Sequence, residues 1–490
     1  MNCRFCKNTI NNTFLNLGSM PPSNAYLNEI NLKKKEKRFP LKLFFCEKCY
    51  LVQTEDFNKP EELFTEDYAY FSSTSSSFLD HAKKYFDEII LRLNLNEKNF
   101  VVEIASNDGY LLKNFLESKV PCLGIEPTKS TYLKSLELNI PTLNDFFNTE
   151  LTNKIISKYR KADLIIANNV YAHVPDINDF TNGIKNLLNE NGVVTIEFPH
   201  LMNLIKYNQF DTVYHEHYSY LSISFILKIF QKYGLKIYDV KKLNTHGGSL
   251  RVYGCHKDKK IETSVDVDKI VKEEKDCGLM DKQVYFNLQK RAIQVKDDLI
   301  KFLNELKKNN KKVVAYGAAA KGNTLLNYCN INSELIDYVC DASVSKQNKF
   351  LPGSHIEIKN PDCLDEDNID YFFILPWNIK NEILKKYSYL KKKGVIFFTA
   401  ITGVYFAKLE GLSAIRSGFG QIVKAGDLAQ FSVTKKFSRR DNRMWALFNV
   451  GTKQGSVALN CYADAFEEYG QNLANEKLVI VKGNVFRNEE

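Results

Sequence analysis

The chain has 490 residues, a formal net charge of +9, and hydrophobic and charged fractions of 44% and 26%. That is the profile of a soluble globular protein of several domains, and no apolar run reaches the ~18 residues that a membrane-spanning helix needs. The start, Met-Asn-Cys-Arg-Phe-Cys, has no apolar signal-peptide core, so a cytoplasmic protein is expected. The mild positive surplus suits an anionic substrate such as a nucleotide diphosphate.

Eleven cysteines make an odd count, and four of them form two tight pairs. Cys3-Arg-Phe-Cys6 and Cys46-Glu-Lys-Cys49 are C-x-x-C knuckles. Each presents two thiolates to one ion, and together Cys3, Cys6, Cys46 and Cys49 complete the closed tetrahedral S4 set of structural zinc. A redox C-x-x-C sits at the strand-to-helix turn of a βαβ unit, and none precedes Cys3. The intervening Pro21-Pro22 and the basic run Lys33–Arg38 read as a loop or hairpin insertion.

A serine-rich turn, Ser72–Ser77, leads into a helical pattern from about Phe78 to Leu93. Phe100–Ile104 then reads as a buried parallel strand and Ala105–Gly109 as a tight turn, with a helix starting at Tyr110. Strand, small-residue turn and helix are what nucleotide-binding α/β domains place at the carboxyl end of their first strand. The turn puts Glu103, Ala105, Asn107, Asp108 and Gly109 at a cofactor. The next strand, Cys122–Glu126, ends in an acid able to accept ribose hydroxyls. A third strand, Ala162–Ala167, delivers Asn168, Asn169 and His173 to the same end. His173 reads equally as a helix-cap or buried hydrogen-bonding residue. A fourth strand spans Gly192–Glu197. Ala105 and Asn107 stand where a dinucleotide site has glycines, which favours S-adenosylmethionine, a cofactor without phosphate, over a nicotinamide.

Asp211–Tyr220 holds three tyrosines, two histidines and two carboxylates. That is the inventory for removing a proton near neutral pH: histidine as base, a carboxylate to fix its tautomer, tyrosine to donate to a developing oxyanion. Its alternative is a solvated aromatic loop.

About Asp266 to Asn310 the pattern is helical and highly charged, as in a long surface or linker helix. Strands Lys312–Gly317, Ile336–Cys340, Tyr371–Leu375 and Val395–Phe398 predict a second Rossmann-like sheet. Gly317-Ala-Ala-Ala-Lys321-Gly322 is no P-loop, yet Lys321 and helix N–H groups could cradle a phosphate; otherwise this is a packing domain with a chance glycine turn.

Together the knuckles, Tyr68–Ser73, Glu103–Gly109, Asn169–Asp176, Tyr214–Tyr220, Gly247–Arg251 and Tyr316–Gly322 resemble the zinc-containing, S-adenosylmethionine-dependent sugar C-methyltransferases acting on dTDP-linked 4-keto-6-deoxyhexoses. The resemblance covers residues 1 to about 401. It implies an α/β chain with a zinc-binding domain at 1–66, a class I methyltransferase Rossmann-like domain at 67–262 and a second Rossmann-like substrate domain at 263–401. On the family's pattern His217 is the base that removes an α-proton, Glu216 and Tyr214 position it or stabilise the enolate oxygen, and Tyr68 or Tyr70 closes over the reacting centre. His215 is undecided. The expected partner is a small nucleotide-sugar, with no membrane. A nicotinamide-dependent sugar-nucleotide oxidoreductase is the alternative.

Residues 402–490 change in character. Gln430–Thr434, Arg443–Phe448, Gly455–Asn460 and Lys477–Gly483 read as short strands, with a helix at Ala463–Tyr469. This tail resembles the OB segment of the bacterial DNA polymerase III alpha subunit, as a fusion onto the family's length. A nucleic-acid contact is expected, if anywhere, through its basic residues Lys435, Lys436, Arg439, Arg440 and Arg443.

Overall fold

The computed structural model describes residues 1–57, 71–364 and 368–401, together with the backbone of strands Tyr405–Ala407, Ile415–Arg416, Ile422–Val423, Leu428–Phe437, Met444–Thr452 and Gly455–Cys461. The chain divides into two units, Met1–Lys386 with Thr399–Tyr405, and Tyr387–Phe398 with Phe406–Glu490. Among the described residues, no helix is long and apolar enough to cross a membrane.

The first unit begins with an antiparallel sheet of β1 (Thr13–Met20), β2 (Phe39–Phe45) and β3 (Val52–Gln53). In β2, buried Leu41 and Leu43 flank a half-exposed Lys42, the alternation expected of a sheet with one dry face.

The central sheet contains β4 (Val101–Ile104), β5 (Cys122–Ile125), β6 (Thr142–Leu143), β7 (Ala162–Asn168) and β8 (Leu188–Pro199). The short β9 (Ser219–Tyr220) follows in the chain, and β10 (Leu235–Leu243) and β11 (Ser249–His256) complete the sheet. The order is β10-β11-β8-β7-β4-β5-β6. β4 to β8 run parallel, while β11 is antiparallel to both of its neighbours. Every residue of β4 and β5 is buried, because helices cover both faces. β4 lies between β5 and β7, so the chain reverses direction across the sheet there, and ligands bind beyond strand ends at such a switch point.

β9 does not join the central sheet. It pairs antiparallel with β3, Val52 opposite Tyr220 and Gln53 opposite Ser219, and so becomes the fourth strand of the N-terminal sheet.

Helix Ser76–Leu93 starts at a Ser75 cap and ends at Asn94 in the left-handed conformation (φ 50°). It docks on the sheet through a buried charge network. His81 Nε2 lies 2.8 Å from Glu197 Oε2, and Arg251 Nη2 lies 2.5 Å from Glu197 Oε1. The Arg251 guanidinium sits 4.4 Å over the Tyr85 ring. Burial raises the Glu197 carboxyl, but His81 and Arg251 outweigh that and hold it below the usual carboxylate range.

The charged stretch after Asp266 is not one surface helix. It forms two helices, Val265–Asp276 and Lys282–Lys308, broken at Gly278 and recapped by Asp281. Tyr285, Leu288, Ala292, Val295, Leu299 and Leu303 make a buried stripe at helical spacing, and Tyr285 stacks on Phe45 at 4.5 Å. Lysines and acids on the outer face mask that stripe in the composition. The second α/β element has β12 (Val313–Tyr316), β13 (Val339–Cys340), β14 (Lys349–Phe350), β15 (Glu357–Lys359) and β16 (Tyr371–Ile374). Their order is β14-β15-β13-β12-β16, and helix Ala320–Cys329 follows β12.

In the second unit, Leu428–Phe437, Met444–Thr452 and Gly455–Cys461 form an antiparallel meander. The expected helix Ala463–Tyr469 and strand Lys477–Gly483 lie outside the described residues, as do the side chains of the basic patch, and the described strands do not establish an OB barrel.

Arg251→Met should destabilise the fold by about 3–5 kcal/mol, because it leaves the Glu197 charge buried beside a half-complete network. Urea unfolding of the variant beside the native chain measures this.

Candidate active site

The two knuckles fold alike. Lys7 N–H donates to Cys3 O and Tyr50 N–H to Cys46 O, and Lys7 (φ 60°) and Tyr50 (φ 68°) take the left-handed conformation. The Sγ atoms of Cys3, Cys6, Cys46 and Cys49 lie within 4.8 Å of one another. Cys3 to Cys49 and Cys6 to Cys46 are each 3.5 Å. A tetrahedral zinc with Zn–S bonds of about 2.3 Å has sulfur–sulfur edges of roughly 3.8 Å. The set therefore fits zinc, and with no fifth group in the cluster it is a closed, structural site.

A cavity of about 470 Å³ runs from the carboxyl ends of β4, β5 and β7 toward helix Ala320–Cys329. At the cofactor end, Ala105 (φ 56°) and Asn107 (φ 51°) are left-handed where glycines were missing from the motif. Asn107 N–H donates to Glu126 Oε2 at 2.8 Å and Thr128 N–H to Glu126 Oε1 at 2.9 Å, tying the turn to the end of β5. Each carboxylate oxygen keeps acceptor capacity after these bonds. Ala105, Asn107, Glu126, Asn168, Asn169 and His173 line the cavity. Asn168 Oδ1 and both amide atoms of Asn169 are buried without partners, which is the state of groups built for a polar ligand.

Glu103, Asp108 and Gly109 sit differently. Glu103 is buried beneath the turn, and burial followed by the nearby Glu126, Asp108 and Glu197 pushes its carboxyl well above the usual range. Asp108 accepts from Ser73 N–H. Gly109 is left-handed (φ 79°), and a Cβ there would strike Ile140 Cδ1 at 2.4 Å, so this glycine serves helix packing. None of the three lines the cavity.

At the other end, 211–220 is buried rather than a solvated loop. His217 and Tyr214 line the cavity, with Tyr214 Oη 2.8 Å from His217 Nε2. His173 lies 4.5 Å from His217, ring to ring, and its Nδ1 is 2.7 Å from Glu216 O. Burial above all, then His173 and His246, push His217 well below the ordinary histidine range. It is neutral at pH 7, as a base must be. His215 turns away: its Nε2 meets Phe39 O at 3.2 Å, so it braces β2. The turn at His215–Glu216 makes the two histidines diverge. The Glu216 carboxylate accepts from Asn24 Nδ2 at 3.1 Å, and Asn24, not Glu216, lines the cavity. Tyr68 and Tyr70 lie outside the described residues.

Several cavity residues were not singled out from sequence. Asn24 follows the Pro21-Pro22 turn, Asp145 and Phe146 follow β6, Lys346 lies beyond β13, and His246 precedes the Gly247-Gly248 pair. Only His246 carried a local signal, its place beside two glycines.

Residues 3–64 match the model of a zinc binding domain, residues 78–240 that of a methyltransferase domain, and residues 244–402 that of a C-methyltransferase C-terminal domain. Over 399 residues the chain is 30% identical to the C-methyltransferase NovU of Streptomyces niveus, across 81% of this chain and 95% of that protein. The chain belongs to this C-methyltransferase family. Among solved structures, a SAM-dependent methyltransferase from Anabaena variabilis ATCC 29413 aligns with TM-score 0.30 and 16% identity over 36% of this chain and 84% of that one. Magnesium protoporphyrin IX methyltransferase from Synechocystis PCC 6803, with bound S-adenosylhomocysteine, aligns with TM-score 0.30 and 12% identity over 36% and 82%.

This C-methyltransferase is S-adenosylmethionine-dependent, with a class I central sheet and an N-terminal zinc cluster. The oxidoreductase alternative is not favoured. The family matches stop at residue 402.

Two outcomes follow from this geometry. Cys46→Ser should lose zinc, read by elemental analysis, and melt at lower temperature, since metal-binding free energy is folding free energy in such modules. The histidines set an acid limit. Burial is the main cause that lowers His173 and His246 to about 4 from an ordinary 6.5, and His217 is lowered too. The unfolded chain then binds more protons than the fold between those values, so stability is full above about 6.5 and falls as pH drops toward 4. Urea midpoints across that window, with zinc content monitored, measure the loss.

Proposed function

We propose that this methyltransferase adds a methyl group to carbon in a nucleotide-linked keto-deoxysugar, after removing the proton beside the ketone. The observation that carries the reading is the His217–Tyr214 pair, a neutral imidazole and a phenol 2.8 Å apart at the end of a cavity that begins at the cofactor turn.

S-adenosylmethionine, when bound, supplies a methyl on a sulfonium. Asn168, Asn169, His173 and the left-handed Ala105–Asn107 turn would hold it, with Glu126 accepting from the ribose hydroxyls. His217 takes the α-proton on Nε2, and the electron pair of that C–H bond moves into the ring of the sugar and onto the keto oxygen. The Tyr214 hydroxyl, released from that nitrogen, donates to the oxygen where charge builds. The nucleophilic carbon then takes the methyl, and the sulfur keeps the bonding electrons. Glu216 acts through Asn24 rather than on His217. A tyrosine of Tyr68 or Tyr70 closes the site.

Two lysines and a helix end support a nucleotide diphosphate. Lys321 and Lys346 line the far wall, and helix Ala320–Cys329 opens there with Ala319 as a cap that offers no side-chain acceptor. Its first N–H groups and the helix dipole favour an anion. Asp211 lies behind Lys321, raised by burial to about 7 despite the lysine and the Trp377 indole.

His217→Asn should reduce kcat/KM by about 10²–10⁴, the usual worth of a general base, with S-adenosylhomocysteine affinity nearly unchanged by calorimetry. Wild-type turnover by that variant would exclude His217 as the base. The substrate class is tested by incubating the chain with S-adenosylmethionine and a panel of 4-keto-6-deoxy nucleotide sugars, with mass spectrometry reading one added methyl on carbon.

A further inference from the structure

His246 sits in the turn between β10 and β11, in the left-handed conformation (φ 52°, ψ 25°). That region disfavours residues with a Cβ, and such strain persists only where the surroundings enforce it. Here they do. Gly248 N–H donates to Thr245 O at 2.9 Å and Ser249 Oγ to the same carbonyl at 3.0 Å. Gln209 Nε2 donates to Gly247 O at 2.9 Å. Gly247 lies flat on Trp377, where a Cβ would meet the ring at 2.4 Å. Trp377 is itself fixed, its indole N–H donating to Asp211 Oδ2 at 2.7 Å.

All of this holds an imidazole at the cavity wall whose Nε2 is buried and has no hydrogen-bond partner. The ring stands 6.0 Å from Phe78, edge to face. Burial, then Lys321, keep it neutral, with a pKa lowered to about 4. A neutral imidazole offers one N–H as a donor and is too weak an acid to give its proton away, which suits it to polarise a carbonyl. A buried ring nitrogen without a partner costs stability unless a ligand completes it.

We infer that His246 is a catalytic residue that meets the keto oxygen of the bound sugar and stabilises the charge formed there when His217 removes the proton. This rests on the keto-sugar reading above. It assigns the oxygen to two donors, His246 and Tyr214, on different elements.

The backbone strain supplies the test. His246→Gly removes the ring and relieves the left-handed conformation. Its melting temperature should equal or exceed that of wild type, and S-adenosylhomocysteine should bind with unchanged affinity. Turnover on a keto-sugar accepted by the wild type should fall about 10²–10³-fold in kcat with little change in KM, the cost of one oxyanion donor. His246→Gln, whose amide nitrogen can reach the position of Nε2, should recover part of that loss, while His246→Leu should not. If wild type turns over and His246→Gly keeps kcat, the inference falls alone. It also falls if the whole loss lies in S-adenosylhomocysteine affinity or in stability. If wild type methylates no keto-sugar, the substrate reading falls and takes this inference with it.

Discussion

The structure depends on where the backbone of Val52–Gln53 pairs with Ser219–Tyr220. That pairing carries the catalytic segment out of the cofactor domain and into the zinc-stabilised sheet. Thr54 Oγ1 donates to His217 O at 3.0 Å and Thr54 N–H to Tyr218 O at 3.1 Å. Arg4, next to the first zinc ligand, lies 5.3 Å over the Tyr218 ring and donates to Asp56, Thr54 O and Pro175 O. The zinc cluster thus works at a distance. It contributes no open coordination position, but it holds rigid the sheet on which the proposed base rides.

The other side of the segment is held by the second α/β element. Thr324 Oγ1 donates to Val213 O at 2.8 Å, and Trp377 donates to Asp211. Asn323 Nδ2 donates to Ser23 O at 2.6 Å, and Tyr26 Oη to Ala318 O at 2.5 Å, so the Pro21–Tyr26 loop is fastened to the same helix end. Four buried titratable groups, Asp211, His215, Glu216 and His217, follow from this enclosure. Only one of those histidines faces the cavity. Burial is the main cause of the shift at each of these groups, and it makes a neutral imidazole available near pH 7 without any carboxylate partner.

Much of this was legible in the chain. Doubled C-x-x-C spacing has few uses in a reducing compartment, so Cys3, Cys6, Cys46 and Cys49 read directly as one site. The parallel strands ending at Ile104, Ile125 and Asn168 were legible because strands buried on both faces must be continuous apolar runs. Asn168, Asn169 and Glu126 followed from their places just past those runs. The helix pair after Ser264 was not legible as core, since its charged outer face dominates composition while Tyr285, Leu288 and Ala292 form a thin stripe. Gly109 was misassigned because a glycine in a phosphate-type turn and a glycine under a packing side chain look the same in one dimension.

The sequence by itself determined the covalent inventory: four zinc thiolates, a class I turn and strand pattern, and a segment rich in acid–base groups. Those are local properties, fixed by spacing and by the period of burial. Tertiary structure alone decided which of these groups meet. It turned His215 onto Phe39 and His217 into the cavity, gave Glu216 to Asn24, and brought His246 and Lys321 from distant segments to the same wall. The reason is physical. Side-chain direction within a buried, irregular segment is set by long-range hydrogen bonds to backbone, and their partners here lie up to hundreds of residues away in sequence.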